Sequence, residues 1–104
     1  MILEIAEIHI LEGQNAAFEA AMDLALHEAH RKAEGMRGYR VQRCIENPQR
    51  YFFQIAWDSV EAHMVTYREG PLAPGFRERL RPFFAKPAQF EHFEQVMSYG
   101  VLPE

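Results

Sequence analysis

The chain has 104 residues, 48% of them hydrophobic and 25% charged, a composition that fits one ordinary globular domain over 1–104 and excludes disordered and fibrous classes. A net charge of −4 gives no basic footprint for nucleic acid. No apolar run approaches bilayer length, the opening MILEIAEIHI alternates where a signal peptide has a solid apolar core, and the lone Cys44 permits neither an internal disulfide nor a cysteine-based zinc site. A cytoplasmic protein that binds neither membrane nor nucleic acid is the expectation.

Ile2 to Leu11 alternates apolar and polar residues and predicts a strand, and Glu12-Gly13-Gln14-Asn15 supplies a turn and a polar N-cap. From Ala16 to about Ala33, Phe18, Ala21, Met22, Ala25 and Ala29 fall on one helical face, with Gly35 as the stop. Tyr39–Glu46 and Tyr51–Trp57, separated by Asn47-Pro48-Gln49-Arg50, predict a hairpin. Asp58 or Ser59 caps a second helix that ends near Gly70-Pro71. Pro74-Gly75 opens a short third helical piece that breaks near Pro82, and Pro87 to Met97 is the last predicted strand.

The order β-α-β-β-α-β points to a ferredoxin-like α+β fold, a four-stranded antiparallel sheet with its helices on one face. The other face is left bare, with Phe52 and Phe93 among its apolar candidates and Gln54 and Glu91 between them; which parity of each strand faces the helices stays open. A bare apolar face on a domain of this size predicts a two-fold dimer packed sheet to sheet.

The most informative stretch is Arg50–Tyr67, RYFFQIAWDSVEAHMVTY. Two-residue alternation puts Tyr51, Phe53, Ile55 and Trp57 on one strand face, and helical spacing puts Val60, His63, Met64 and Tyr67 on one face of the second helix. Folded together, the two elements bring a tryptophan, a histidine and a tyrosine into one apolar corner, the makings of a small-molecule pocket, with core packing as the competing reading. An inward imidazole needs a hydrogen-bond partner or a proton-transfer task, Tyr67 can donate a phenolic hydrogen bond, and Phe53 is wall. Arg43 can hold an anionic oxygen if its strand face is the helix-covered one; solvated arginine is the alternative. His9 and His92, placed on outer strands, read as sheet-surface or interface residues. His27 and His30 lie with Glu28 and Arg31 on a solvated helix and lack a third ligand, so no metal site is expected. No phosphate loop, dinucleotide fingerprint or nucleophile elbow is present.

The opening strand IAEIHI, the Gly38-Tyr39 entry to the second strand, the segment FQIAWDSVEAH and the late Phe90-Glu91-His92-Phe93 strand together resemble the antibiotic biosynthesis monooxygenase (ABM) family of dimeric α+β barrels, from Ile2 to Val96. The resemblance implies the fold, a homodimer and one apolar pocket per subunit. The family includes oxygenases that convert polycyclic phenols to quinones without metal or flavin, haem-degrading enzymes and isomerases of signal molecules. The haem-degrading branch needs an axial histidine where this chain has Tyr67 and an asparagine near Glu7 that is absent. The phenol-oxidising branch matches at Trp57, with His63 in place of its tyrosine and Phe53 in place of its asparagine. The resemblance therefore implies cofactor-independent oxidation of a small aromatic, phenolic or quinol-like molecule, with His63 and Trp57 catalytic and Tyr67, Phe53, Met64 and Arg43 binding substrate. A non-catalytic binding module and an isomerase or degrading enzyme for a small signal metabolite are the alternatives.

Overall fold

The computed structural model describes residues 1–102. Strand β1 (Ile2–His9) leads into helix α1 (Asn15–Lys32), strands β2 (Met36–Arg43) and β3 (Arg50–Trp57), a π-helix (Ala62–Tyr67), helix α2 (Ala73–Leu80) that runs into a 3-10 turn (Arg81–Phe83), and strand β4 (Gln89–Phe93). The sheet order is β2-β3-β1-β4 and every neighbouring pair is antiparallel, the ferredoxin-like arrangement.

Register settles the parity that the sequence leaves open. Glu4, Ala6 and Ile8 of β1 and Tyr51, Phe53, Ile55 and Trp57 of β3 are buried beneath the helices. Pairing of Glu4 with His92 and of Ala6 with Phe90 turns both β4 residues to that same side. Phe52 and Phe93 fall on the open face, as the sequence suggests, beside half-buried Leu3 and Ile5.

Helix α1 packs Phe18, Met22, Ala25, Leu26 and Ala29 onto the sheet. Its buried stripe includes Leu26, which the sequence pattern omits. Asn15 is the first helical residue rather than the cap, and its side chain instead donates to Pro48 O (2.7 Å) and Tyr51 Oη (2.9 Å), tying the helix start to the hairpin. Gly35 adopts φ +86°, and a Cβ there would sit 2.8 Å from Ala62 Cβ; only glycine lets the turn after α1 lie against the start of the π-helix.

Several elements differ from the sequence reading in bounds, type or place. Strand β2 begins and ends three residues earlier, with a bulge between Met36 and Gly38. The expected second helix from 58 or 59 to 70 is mostly a π-helix over six residues, and the expected short third piece is the true second α-helix. Strand β4 is five residues long, its pairing with β1 ending at Phe93 opposite Leu3. Strand β1, expected at the outside, lies inside the sheet, and its His9 bonds Glu7 (2.8 Å) on the open face.

Candidate active site

Between the sheet, the π-helix and α2 lies a cavity of about 570 Å³. Its walls are largely apolar, built from Phe53, Ile55 and Trp57 of β3, Phe90 of β4, and Ala73, Phe76 and Leu80 of α2. This volume falls within the range of small-molecule sites.

The polar group at its buried end is Glu4, which sequence reasoning passed over. On an alternating strand a carboxylate at an inward position looks like a register accident, and β1 taken alone does not reveal its parity. Glu4 is 4% exposed. The Trp57 Nε1–H donates to its Oε1 at 3.0 Å, and His63 Nε2 lies 3.4 Å from the same oxygen. Burial raises the Glu4 carboxyl from 4.5 to about 7, against the opposing pull of the Trp57 bond and the Arg68 charge.

His63 is 5% exposed, and burial, with His92 and Arg68 nearby, lowers its pKa to about 4. At neutral pH the imidazole is uncharged, so its approach to Glu4 is a dipolar contact and not an ion pair. Its other nitrogen, Nδ1, is 2.8 Å from His92 Nε2. Two proton arrangements satisfy this row. With Glu4 ionised, His92 donates to His63 and His63 Nε2–H points at the carboxylate; with Glu4 protonated, both directions reverse. His92, half-buried on β4, is thereby part of the site rather than the surface residue its strand position suggests.

The tryptophan, histidine and tyrosine do stand together. The His63 ring stacks on Trp57 at 4.9 Å with 16° between planes, and Tyr67 leans on Trp57 at 5.3 Å. The π-helix sets this arrangement. Arg68 N–H donates to His63 O at 2.9 Å, an i to i+5 bond that widens the turn. The widened turn keeps His63 and Tyr67 on the cavity wall, leaves Val60 exposed and moves Met64 off it; Met64 instead lies 4.0 Å from Arg68 Nη1. The four-residue face expected from regular helical spacing is thus reduced to two. Tyr67 Oη is buried and has no hydrogen-bond partner among the described residues. Burial and the neighbouring Glu4 push the phenol up to about 12, so it stays protonated, a donor on the cavity wall awaiting an acceptor.

Phe53 lines the cavity as expected, edge-on to Phe76 at 6.4 Å. Arg43 does not. Its strand face is the helix-covered one, but β2 is the far edge of the sheet, and there Arg43 pairs with Glu19 (2.7 Å) beside a separate hollow lined by Phe18 and Tyr51. The cationic side chains on the cavity wall are Arg68, Arg77, Arg81 and Lys86, none of which stands out in the sequence pattern.

No helix among the described residues is long and apolar enough to cross a membrane. Comparison with known proteins adds lineage to this geometry. A family model described as antibiotic biosynthesis monooxygenase matches residues 1–79. Curated proteins give no match. Among solved structures, a protein from Bordetella bronchiseptica assigned to the same family is 35% identical, over 92% of this chain and 97% of that one, with a TM-score of 0.88. One from Nitrosomonas europaea, likewise assigned, is 14% identical over 93% and 100% with a TM-score of 0.77. SnoaB, a cofactor-independent oxygenase from Streptomyces nogalater, is 16% identical over 99% and 97% with a TM-score of 0.78; at the last two identities the likeness is one of fold. The family match over most of the chain and the 35% identity along nearly the full length of a solved relative place this chain in the antibiotic biosynthesis monooxygenase family.

Proposed function

We propose that this chain is a cofactor-independent monooxygenase for a small aromatic, phenolic or quinol-like molecule, a one-domain cytoplasmic protein that works as a homodimer. The observation that carries the reading is Glu4: a carboxyl of pKa about 7, buried at the end of an apolar cavity and braced by Trp57 and His63. A carboxylate poised near neutrality suits proton abstraction from a phenol far better than one near its ordinary value. His63, the base expected from sequence, is too weakly basic for that step; its role here is to orient Glu4 and relay its proton toward His92.

The chemistry then needs no metal or flavin. Ionised Glu4 takes the phenolic proton, and the resulting electron-rich ring gives one electron to dioxygen. The radical pair joins carbon to oxygen, and Glu4 returns its proton to form a hydroperoxide. Loss of water from that carbon leaves a carbonyl, so a ring C–H, the phenolic O–H and O₂ become two C=O groups and H₂O. Tyr67 donates to the substrate or peroxide oxygen, while Trp57 and Phe53 hold the ring and exclude water. The oxygenase activity named for SnoaB accords with this scheme.

The dimer reading is supported by what one copy leaves uncovered. Phe93 is 46% exposed on the open face, and beyond β4 Val96, Met97, Tyr99, Val101 and Leu102 all lie in solvent. A second copy packed on the open sheet gives both the face and this apolar arm a surface to cover.

The test is oxygen uptake with dihydroxynaphthalene-type and anthrone-type substrates, no cofactor added. The parent protein should exceed the uncatalysed rate, and Glu4→Gln should lower the enzymatic rate by about 100-fold or more, the usual worth of a positioned base. His63→Ala should fall between the two. Circular dichroism and sizing first establish that each variant is folded. A parent rate no higher than buffer removes the oxygenase reading and leaves a non-catalytic binding module, and a folded Glu4→Gln variant as fast as a parent that does exceed buffer removes Glu4 as the base.

A further inference from the structure

The charge on the cavity wall runs opposite to the charge of the protein. The chain holds 15 acidic and 11 basic residues, for a net −4. Yet four of its cations, Arg68, Arg77, Arg81 and Lys86, line this one cavity, against the single acid Glu4. Even fully ionised, Glu4 offsets only one of those four charges. The cations are also sparsely paired. Arg81 meets Glu78 at 3.3 Å in an exposed contact, whereas Arg68, Arg77 and Lys86 have no carboxylate within ion-pair distance among the described residues. Arg68 lies instead over the Phe90 ring, 5.1 Å from its centre.

The two kinds of wall are separated in depth. Glu4, His63 and Trp57 are buried, Tyr67 and Arg68 are half-buried, and Arg77, Arg81 and Lys86 are exposed at the open end. A ligand that fills the cavity therefore meets aromatic rings and a proton acceptor at one end and guanidinium and ammonium groups at the other. We infer that the substrate is an amphipathic aromatic acid, a phenolic ring system that carries an oxyanion on the side away from its reacting hydroxyl. The oxyanion is held by Arg77 and Lys86 at the mouth, with Arg68 deeper in. Arginine and lysine bind carboxylate and phosphate oxygens alike, so the recognised chemistry is the anionic oxygen group itself. A carboxylate against apolar walls alone would lose its hydration without return, whereas here the cations stand where the cavity reaches solvent.

This inference rests on the proposed phenolic site, but binding tests it without turnover. Calorimetric titration of the full-length protein at low salt compares 2-naphthol, 3-hydroxy-2-naphthoate and 2-naphthyl phosphate. The naphthoate, the phosphate or both should bind about 10-fold or more tightly than the neutral naphthol, and the preference should shrink with added salt. In the double variant Arg77→Gln/Lys86→Gln the ratio of anionic to neutral affinity should fall to within about 2-fold, while loss of two charges outside the cavity, in Arg31→Gln/Lys32→Gln, should keep the ratio of the parent. The two anionic ligands distinguish a carboxylate-bearing substrate from a phosphorylated one. Equal affinity for naphthol and both anions, tighter binding of naphthol, an unchanged ratio in the double variant, or no binding of any of them overturns the inference. Selective anion binding with no oxygen uptake on any substrate would instead remove the oxygenase reading and leave this one standing.

Discussion

Replacing Glu4 by glutamine should change the pH dependence of stability by a calculable amount. The carboxyl rises from 4.5 to about 7 on folding, chiefly through burial. A group whose pKa is raised in the folded state contributes its stability fully below the unfolded value and loses it as the pH climbs through the folded one. The window for Glu4 therefore runs from about pH 4.5 to about pH 7, and the stability lost across it as the pH climbs, at about 1.4 kcal/mol per pH unit, amounts to about 3 kcal/mol. Glutamine has nearly the same shape and keeps an oxygen for the Trp57 Nε1–H, but it cannot ionise. Relative to the parent, the variant should gain about 3 kcal/mol of unfolding free energy between pH 4.5 and pH 8. Urea unfolding at fixed protein concentration reads this directly, because Trp57 is the only tryptophan, is fully buried and donates its hydrogen bond to Glu4 itself. Taking the difference between variant and parent cancels the contribution of His63, which acts in the other direction. Lowered to about 4, His63 loses its stabilising neutral state as the pH falls from 6.5 through 4. A variant-minus-parent difference that stays flat from pH 4.5 to pH 8 would show that Glu4 ionises like an exposed carboxylate, and the proposal of a neutral-range base would go with it.

Trp57→Phe removes a bond that lowers the Glu4 pKa, so the carboxyl should titrate higher than about 7; carbon-13 NMR of the Glu4 side chain reads it, and a downward shift would contradict the geometry. Tyr67→Phe deletes a buried hydroxyl with no partner among the described residues, so it should leave stability unchanged or raise it by about 1 kcal/mol, while weakening 2-naphthol binding by about 10-fold; marked destabilisation in urea would refute this. Light scattering at micromolar concentration should give twice the chain mass, and removal of residues 95–104 with their exposed Val96, Met97, Tyr99 and Val101 should shift the protein toward monomer; a parent that is monomeric throughout removes the dimer reading.

The strand and helix order was legible in the sequence because each element repeats its pattern over many residues. The alternation in Tyr51–Trp57 and the helical stripe in α1 each carry several agreeing positions, so their identity survives an error in any one of them. The meeting of Trp57, His63 and Tyr67 was legible for a similar reason, being set by short-range geometry across one strand-to-helix turn. What lay beyond reach was long-range. The inward parity of β1, and with it the burial of Glu4, depends on pairing Glu4 with Ile55 and His92, residues some fifty and ninety positions away. His92 becomes a partner of His63, and Arg43 lies far from it, only because the sheet places β4 beside β1 and β2 at the opposite edge. Met64 left the cavity wall because the turn closes from Arg68 to His63, a winding that regular helical spacing does not encode. The perturbed carboxyl and the cationic mouth are likewise properties of burial and assembly. The same glutamate in an unfolded chain is an ordinary acid, and tertiary packing, by stripping its water and setting an indole N–H against it, makes it a group poised near neutrality.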